Sequence, residues 1–120
     1  MKNLLIITSR DELLRMDISK IVYFEADGNY TTVMMSNKLK GTIGLNLSQT
    51  EALLAERLKE KAAIFARIGK HFIVNMNYVY EINALRQKII LSDFVNFAYQ
   101  LTVSKEALKK FKDVMVAVNI

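Results

Sequence analysis

The chain has 120 residues, of which 52% are hydrophobic, with no cysteine, no proline and a net charge of +5. This size and composition predict a single packed domain over residues 1–120 and exclude disorder, disulfides, thiolate metal sites and cysteine nucleophiles. No apolar run approaches the roughly 20 residues of a membrane helix, and the apolar start after Asn3 is too short for a signal peptide, so no membrane association and a cytoplasmic protein are expected.

In chain order, residues 4–8 form a compact β-prone run, residues 9–12 a polar turn and residues 13–16 a returning strand, which together predict an opening hairpin. Asp17 suits the cap of one helical turn. Residues 21–26 read as a strand with Ile21, Tyr23 and Glu25 on one face and Val22, Phe24 and Ala26 on the other. Asp27, Gly28 and Asn29 make the strongest turn in the sequence, with residues suited to positive φ. Residues 30–36 return as a β-branched strand, Asn37 and Lys38 turn again, and residues 39–44 extend. Over residues 45–61 the period changes. Leu47, Leu54 and Leu58 recur on one helical face with Leu53 beside them, and either Asn46 with Gln49 or Ser48 with Glu51 forms a capping box.

Residues 64–68 extend toward a turn of Gly69, Lys70 and His71, and Phe72, Ile73 and Val74 then read as core. Asn75 and Asn77 carry short amides that bond readily to nearby backbone. Strands are expected at residues 78–82 and 88–91 around the basic turn of Leu85, Arg86 and Gln87. After a turn at Ser92 and Asp93, residues 94–103 read as one long aromatic strand. Ser104 caps a short helix over residues 105–112, with Leu108 and Phe111 on its inner side. Residues 114–118 show no helical period, and the apolar tail 114–120 is expected to be buried, against its own domain or in a homodimer. Ile21, Phe24 and Leu101 are further core candidates, and the methionines suit core filling. The fold class is therefore mainly β, in small antiparallel sheets with two short peripheral helices, about a fifth of the residues being helical.

Charge is uneven. Residues 1–65 hold nine Lys/Arg against eight Asp/Glu, whereas residues 66–120 hold eight against four. A basic second half suits a polyanion. The sequence lacks a Walker loop, HExxH, GxSxG and a dinucleotide fingerprint, and one histidine cannot build a His-based metal site. No enzyme, cofactor or metal is expected.

The segment Arg67-Ile68-Gly69-Lys70-His71-Phe72-Ile73-Val74-Asn75-Met76-Asn77-Tyr78 resembles the hallmark of the LytTR family of bacterial DNA-binding domains, a pattern close to Arg-Ile-His-Arg/Lys-Ser-Tyr-Ile-Val-Asn-Leu-Asn-Tyr. A second family signature resembles Ile21-Val22-Tyr23-Phe24-Glu25-Ala26-Asp27-Gly28-Asn29-Tyr30-Thr31-Thr32-Val33. The resemblance spans about residues 3–113. It implies a stand-alone, sequence-specific binder of double-stranded DNA in transcriptional regulation, with three contact regions: Asn29, Tyr30 and Thr31; Lys70 and His71; and Ser104, Lys105 and Lys109. Family members are often fused to a receiver domain, for which these 120 residues leave no room. A separate regulatory partner protein or a homodimer is compatible with this reading.

Each region also has a plainer explanation. Asn29 suits a tight hairpin for its backbone alone. His71 suits a surface imidazole, and Ser104 with Lys105 suits an N-cap followed by a solvated lysine. The chain departs from the family pattern at Gly69, where histidine is usual, and at His71, where serine is common. Those departures allow the alternative, a protein-interaction module that keeps the fold without binding DNA. Stacking of single-stranded RNA on Tyr30, Phe72 or Tyr99 is a third reading.

Overall fold

The computed structural model describes residues 3–118. Among the described residues, ten strands form three antiparallel sheets, and two α-helices flank them. The first sheet is the hairpin of β1 (Leu4–Thr8) and β2 (Leu13–Asp17). The second contains β3 (Ile21–Asp27), β4 (Tyr30–Met35), β5 (Lys40–Ile43), β6 (Phe65–Ile68) and β7 (Phe72–Asn75), in the order β5-β4-β3-β7-β6. The third contains β8 (Val79–Asn83), β9 (Lys88–Ser92) and β10 (Ala98–Thr102), with β9 central. Helix α1 is Leu47–Leu58 and α2 is Lys105–Val118.

The five-stranded sheet is covered on both faces, which explains the unbroken apolar file in β7. Ile73 joins a core with Phe24, Val33, Ile43 and the α1 residues Leu47, Leu54 and Leu58, closed by Leu5, Ile7 and Met16 of the first hairpin. Phe72 and Val74 point the other way, into a core with Ile89, Leu91, Leu101, Leu108 and Phe111. Tyr23 bridges this second layer, meeting Phe72 and Tyr99 edge-on at ring separations of 6.1 and 5.7 Å.

One side-chain assignment changes in β3. Ile21 pairs with Met35 and Tyr23 with Met34, so Val22 is an extra residue at a bulge. The bulge places Ile21 with Phe24 in the first core and Val22 with Tyr23 in the second, breaking strict alternation.

Local caps follow the sequence closely. Asn46 and Gln49 form the reciprocal capping box of α1, at 2.8 and 3.0 Å. Asp17 accepts from the Ser19 backbone at 3.0 Å and caps the 3-10 turn Ile18–Lys20. Helix α1 nevertheless ends at Leu58 and continues as the 3-10 segment Lys59–Ile64. Gly28 takes φ +60° as the first of the two residues between Asp27 and Tyr30, as a type II′ hairpin turn requires, whereas Asn29 keeps a negative φ.

The C-terminal half corrects two expectations. Residues 94–103 are not one strand, because β10 begins only at Ala98. Asp93 Oδ1 accepts from the backbone N–H groups of Val95, Asn96 and Phe97 at 3.0, 2.7 and 3.2 Å, and Ser92 Oγ accepts from that of Phe94 at 2.9 Å. Those donors are lost to a β ladder, so the segment stays a loop. Helix α2 runs past residue 112 because Met115 continues the inner stripe of Leu108 and Phe111 at helical spacing. Against its own domain the tail is partly buried only at Met115: Val114, Val116 and Val118 are 46%, 57% and 59% exposed, while Asn119 and Ile120 lie outside the described residues.

Partial desolvation acts to raise the Asp93 pKa, but the three backbone donors and the Asn96 amide outweigh it and lower it from 3.8 to about 2. A depressed carboxylate stabilises its surroundings fully above its unfolded pKa and loses that contribution as pH falls through its folded one. The loop should therefore hold at neutral pH and loosen between about pH 4 and 2. Amide proton shifts of Val95, Asn96 and Phe97 should report this, and shifts flat across that window would refute it.

Candidate nucleic-acid interface

The strand directions collect the candidate residues at one end of the sheets. Strand β3 runs out to the Gly28–Asn29 turn, and antiparallel β7 starts beside it. The Ala26 N–H donates to the His71 carbonyl at 2.8 Å, which fastens the β3–β4 hairpin to the turn of residues 69–71. That turn connects Ile68 and Phe72, which are paired, with Gly69 at φ +60°. A left-handed residue is needed there, and a Cβ on Gly69 would lie 3.5 Å from the Ala107 Cβ of α2.

The same turn and the start of α2 line a cleft of about 650 Å³ that includes Gly69, Lys70, His71, Ser104, Ala107 and Lys110. Ser104 Oγ accepts from the Ala107 N–H at 3.3 Å, so the serine is an N-cap whose hydroxyl proton remains available to an acceptor. Lys105 and Lys109, four residues apart, share a strip of α2 distinct from that of Lys110. Asn29, Tyr30, Lys70, His71, Ser104, Lys105 and Lys109 are all exposed, Tyr30 at 55%.

Thr31 is different. It is fully buried, donating to the Leu45 carbonyl at 2.8 Å and accepting from the Thr50 hydroxyl at 3.1 Å. Its hydroxyl ties β4 to the entry of α1, and nothing of it faces outward. The hydroxyls satisfy each other because both are enclosed, a fact no local pattern reveals. Phe72, 7% exposed, is likewise closed to a stacking base.

Two residues not singled out from the sequence join this end. Arg67 straps the turn from beneath, its Nε donating to the Gly69 carbonyl at 3.0 Å and Nη2 to that of Lys70 at 3.4 Å. Its Nη1 meets Glu51 of α1 at 3.0 Å. Arg86 lies in the β8–β9 turn, whose Gln87 carbonyl accepts from the Val103 N–H at 3.0 Å and so stands beside the start of α2. Asn83 Oδ1 accepts from the Arg86 N–H at 3.0 Å, holding the exposed arginine in a defined turn. The available signals were the first position of the hallmark segment for Arg67 and a cation in a predicted turn for Arg86.

The arrangement is two loops and a helix N-terminus carrying cations, an amide and a hydroxyl on one end of a rigid frame. Such groups can pair with phosphates and base edges. A family model described as LytTr DNA-binding domain matches residues 11–115. A similar solved structure is the LytTr DNA-binding domain of a protein from Bacillus cereus described as a methyl-accepting/DNA response regulator. It is 25% identical with a TM-score of 0.67, over 96% of this chain and 98% of that one. No curated protein matches the chain.

Proposed function

The chain belongs to the LytTr DNA-binding domain family, and from that premise we propose that its residues 1–120 form one domain that binds double-stranded DNA sequence-specifically in bacterial transcriptional regulation, acting in the cytoplasm. The observation that carries this reading is the convergence of the hairpin tip at Asn29 and Tyr30, the turn at Lys70 and His71, and the N-terminus of α2 on one end of the molecule. In this reading Ser104, Lys105 and Lys109 bond phosphates and set register, while Asn29 and Lys70 read base edges. Thr31 serves as the internal anchor of the hairpin, and Arg86 adds a cation at the flank of α2.

The test is selection of bound duplexes from a random pool, followed by titration of the selected and a scrambled site across a salt series. Preference for the selected site supports the reading. Equal affinity for both would replace it with the protein-interaction module that retains this fold. Lys105→Ala should weaken both duplexes alike and reduce the salt slope by about one unit, since a phosphate contact carries no sequence information. A slope unchanged within error would remove Lys105 from the contact set.

A further inference from the structure

We propose that the pole opposite the DNA-facing loops is a docking surface for an acidic protein segment that carries an apolar side chain. Strand β3 begins at this pole, where the Ser36 N–H donates to the Lys20 carbonyl, and it crosses roughly 20 Å of sheet to reach Asn29. The loop of residues 93–97 lies at the same pole, because the Tyr99 hydroxyl at the start of β10 donates to the Met35 carbonyl at the end of β4.

Its apolar content is unusual. Phe94 is 78% exposed, Val95 84% and Leu39 65%, and the Tyr80 ring meets that of Phe94 edge-on at 5.7 Å. Phe94 also has φ +66°, a region that bulky residues avoid. The fold thus holds an aromatic ring outward in a strained backbone when neither exposure nor strain contributes to its core. Strain of this kind persists where surrounding bonds impose it. Here Ser92 and Asp93 do so, through the bonds that pin the loop and through the 2.7 Å bond from the Ser92 hydroxyl to the Phe97 carbonyl. A preformed loop loses little conformational freedom when a partner binds.

Charge names the partner's chemistry. Lys38 lines the same hollow as Phe94 and Val95. The adjoining groove, with Leu13 and Leu39, carries Arg15, Lys20 and Lys40 on its rim. The carboxylates nearby are Asp17, which caps Ser19, and Asp93, whose oxygens hold the loop. Four cations around an apolar centre complement an acidic segment, and they disfavour a second copy presenting the same face.

The test is selection of random 12-residue peptides displayed on phage against the full chain, with the strongest binder resynthesised and measured by fluorescence anisotropy. Enriched peptides should combine Asp or Glu with Leu, Phe or Trp. Phe94→Ser with Val95→Ser should weaken the binder at least tenfold, and so should Lys38→Glu with Lys40→Glu, which leaves the apolar loop intact. Lys70→Ala, at the other pole, should leave it unchanged. Failure to enrich any peptide, enrichment of neutral or basic ones, or a binder indifferent to both double variants would overturn the proposal. Sedimentation showing self-association of the chain that Phe94→Ser abolishes would also overturn it, by making a second copy the occupant.

Discussion

Asn75→Ala is expected to destabilise the domain by about 3 kcal/mol, lowering its melting temperature on the order of 10 °C. Asn75 is fully buried at the end of β7, and its side chain works in two directions. Its Nδ2 donates to the Ile21 carbonyl at 2.9 Å, and its Oδ1 accepts from the Asn77 N–H at 3.0 Å, capping the 3-10 turn Met76–Tyr78. Ile21 sits next to the β3 bulge, where the regular ladder is interrupted, so this amide replaces a strand partner at the irregular point. Truncation leaves the enclosed Ile21 carbonyl without its bond, at about 1–3 kcal/mol, removes the part-buried bond to the Asn77 N–H, and opens a small cavity. Asn77→Ala, which removes only an exposed side chain, is the control and should change little. Equal melting temperatures for wild type and Asn75→Ala would show that water or local repacking meets both groups.

Lys70→Ala should cost about 1–3 kcal/mol of binding to a selected duplex and relax preference at one base position, if the lysine reads a guanine edge as proposed. The turn presenting Lys70 is held by Arg67, which is half-buried and spends its donors on the Gly69 and Lys70 carbonyls and on Glu51. Arg67→Ala should therefore weaken DNA binding too, but by loosening the turn rather than by removing a contact. Its melting temperature should fall only modestly, because the Glu51 pair is partly exposed and such pairs contribute about 1 kcal/mol or less. The two mechanisms separate in the salt series. Loss of a direct phosphate contact at Lys70 flattens the salt slope, loss of a base contact alters specificity, and Arg67→Ala lowers affinity while raising the local mobility of residues 69–71 measured by amide exchange. Affinity unaffected by both substitutions, in a chain that still prefers its selected site, would move the interface away from this turn.

What the amino-acid order determined by itself was whatever is settled within a few residues. The Ser9–Glu12 turn that closes the β1–β2 hairpin, the Gly28–Asn29 turn and the Asp17 and Ser104 caps form between groups two to five positions apart, so residue type and spacing suffice, whereas of the two capping-box registers open in the sequence the fold takes Asn46 with Gln49. The mainly-β class and the apolar file of Phe72, Ile73 and Val74 were legible for the same reason, as was the family hallmark. Tertiary structure decided where a distant partner competes with a local preference. Ile21 changes face because Val22 bulges against β4, and Thr31 turns inward because Leu45 and Thr50 accept and donate to it across 14 and 19 residues. Residues 114–118 become helical because Met115 finds the second core, although valine runs favour strands. The Arg67 strap on the Gly69 and Lys70 carbonyls is local, but its anchor at Glu51 of α1 lies 16 residues away, and Arg86 joins the interface only through the Gln87 carbonyl bond to Val103. Periodicity reports which side of an element is apolar, but which other element covers that side is settled only by three-dimensional packing.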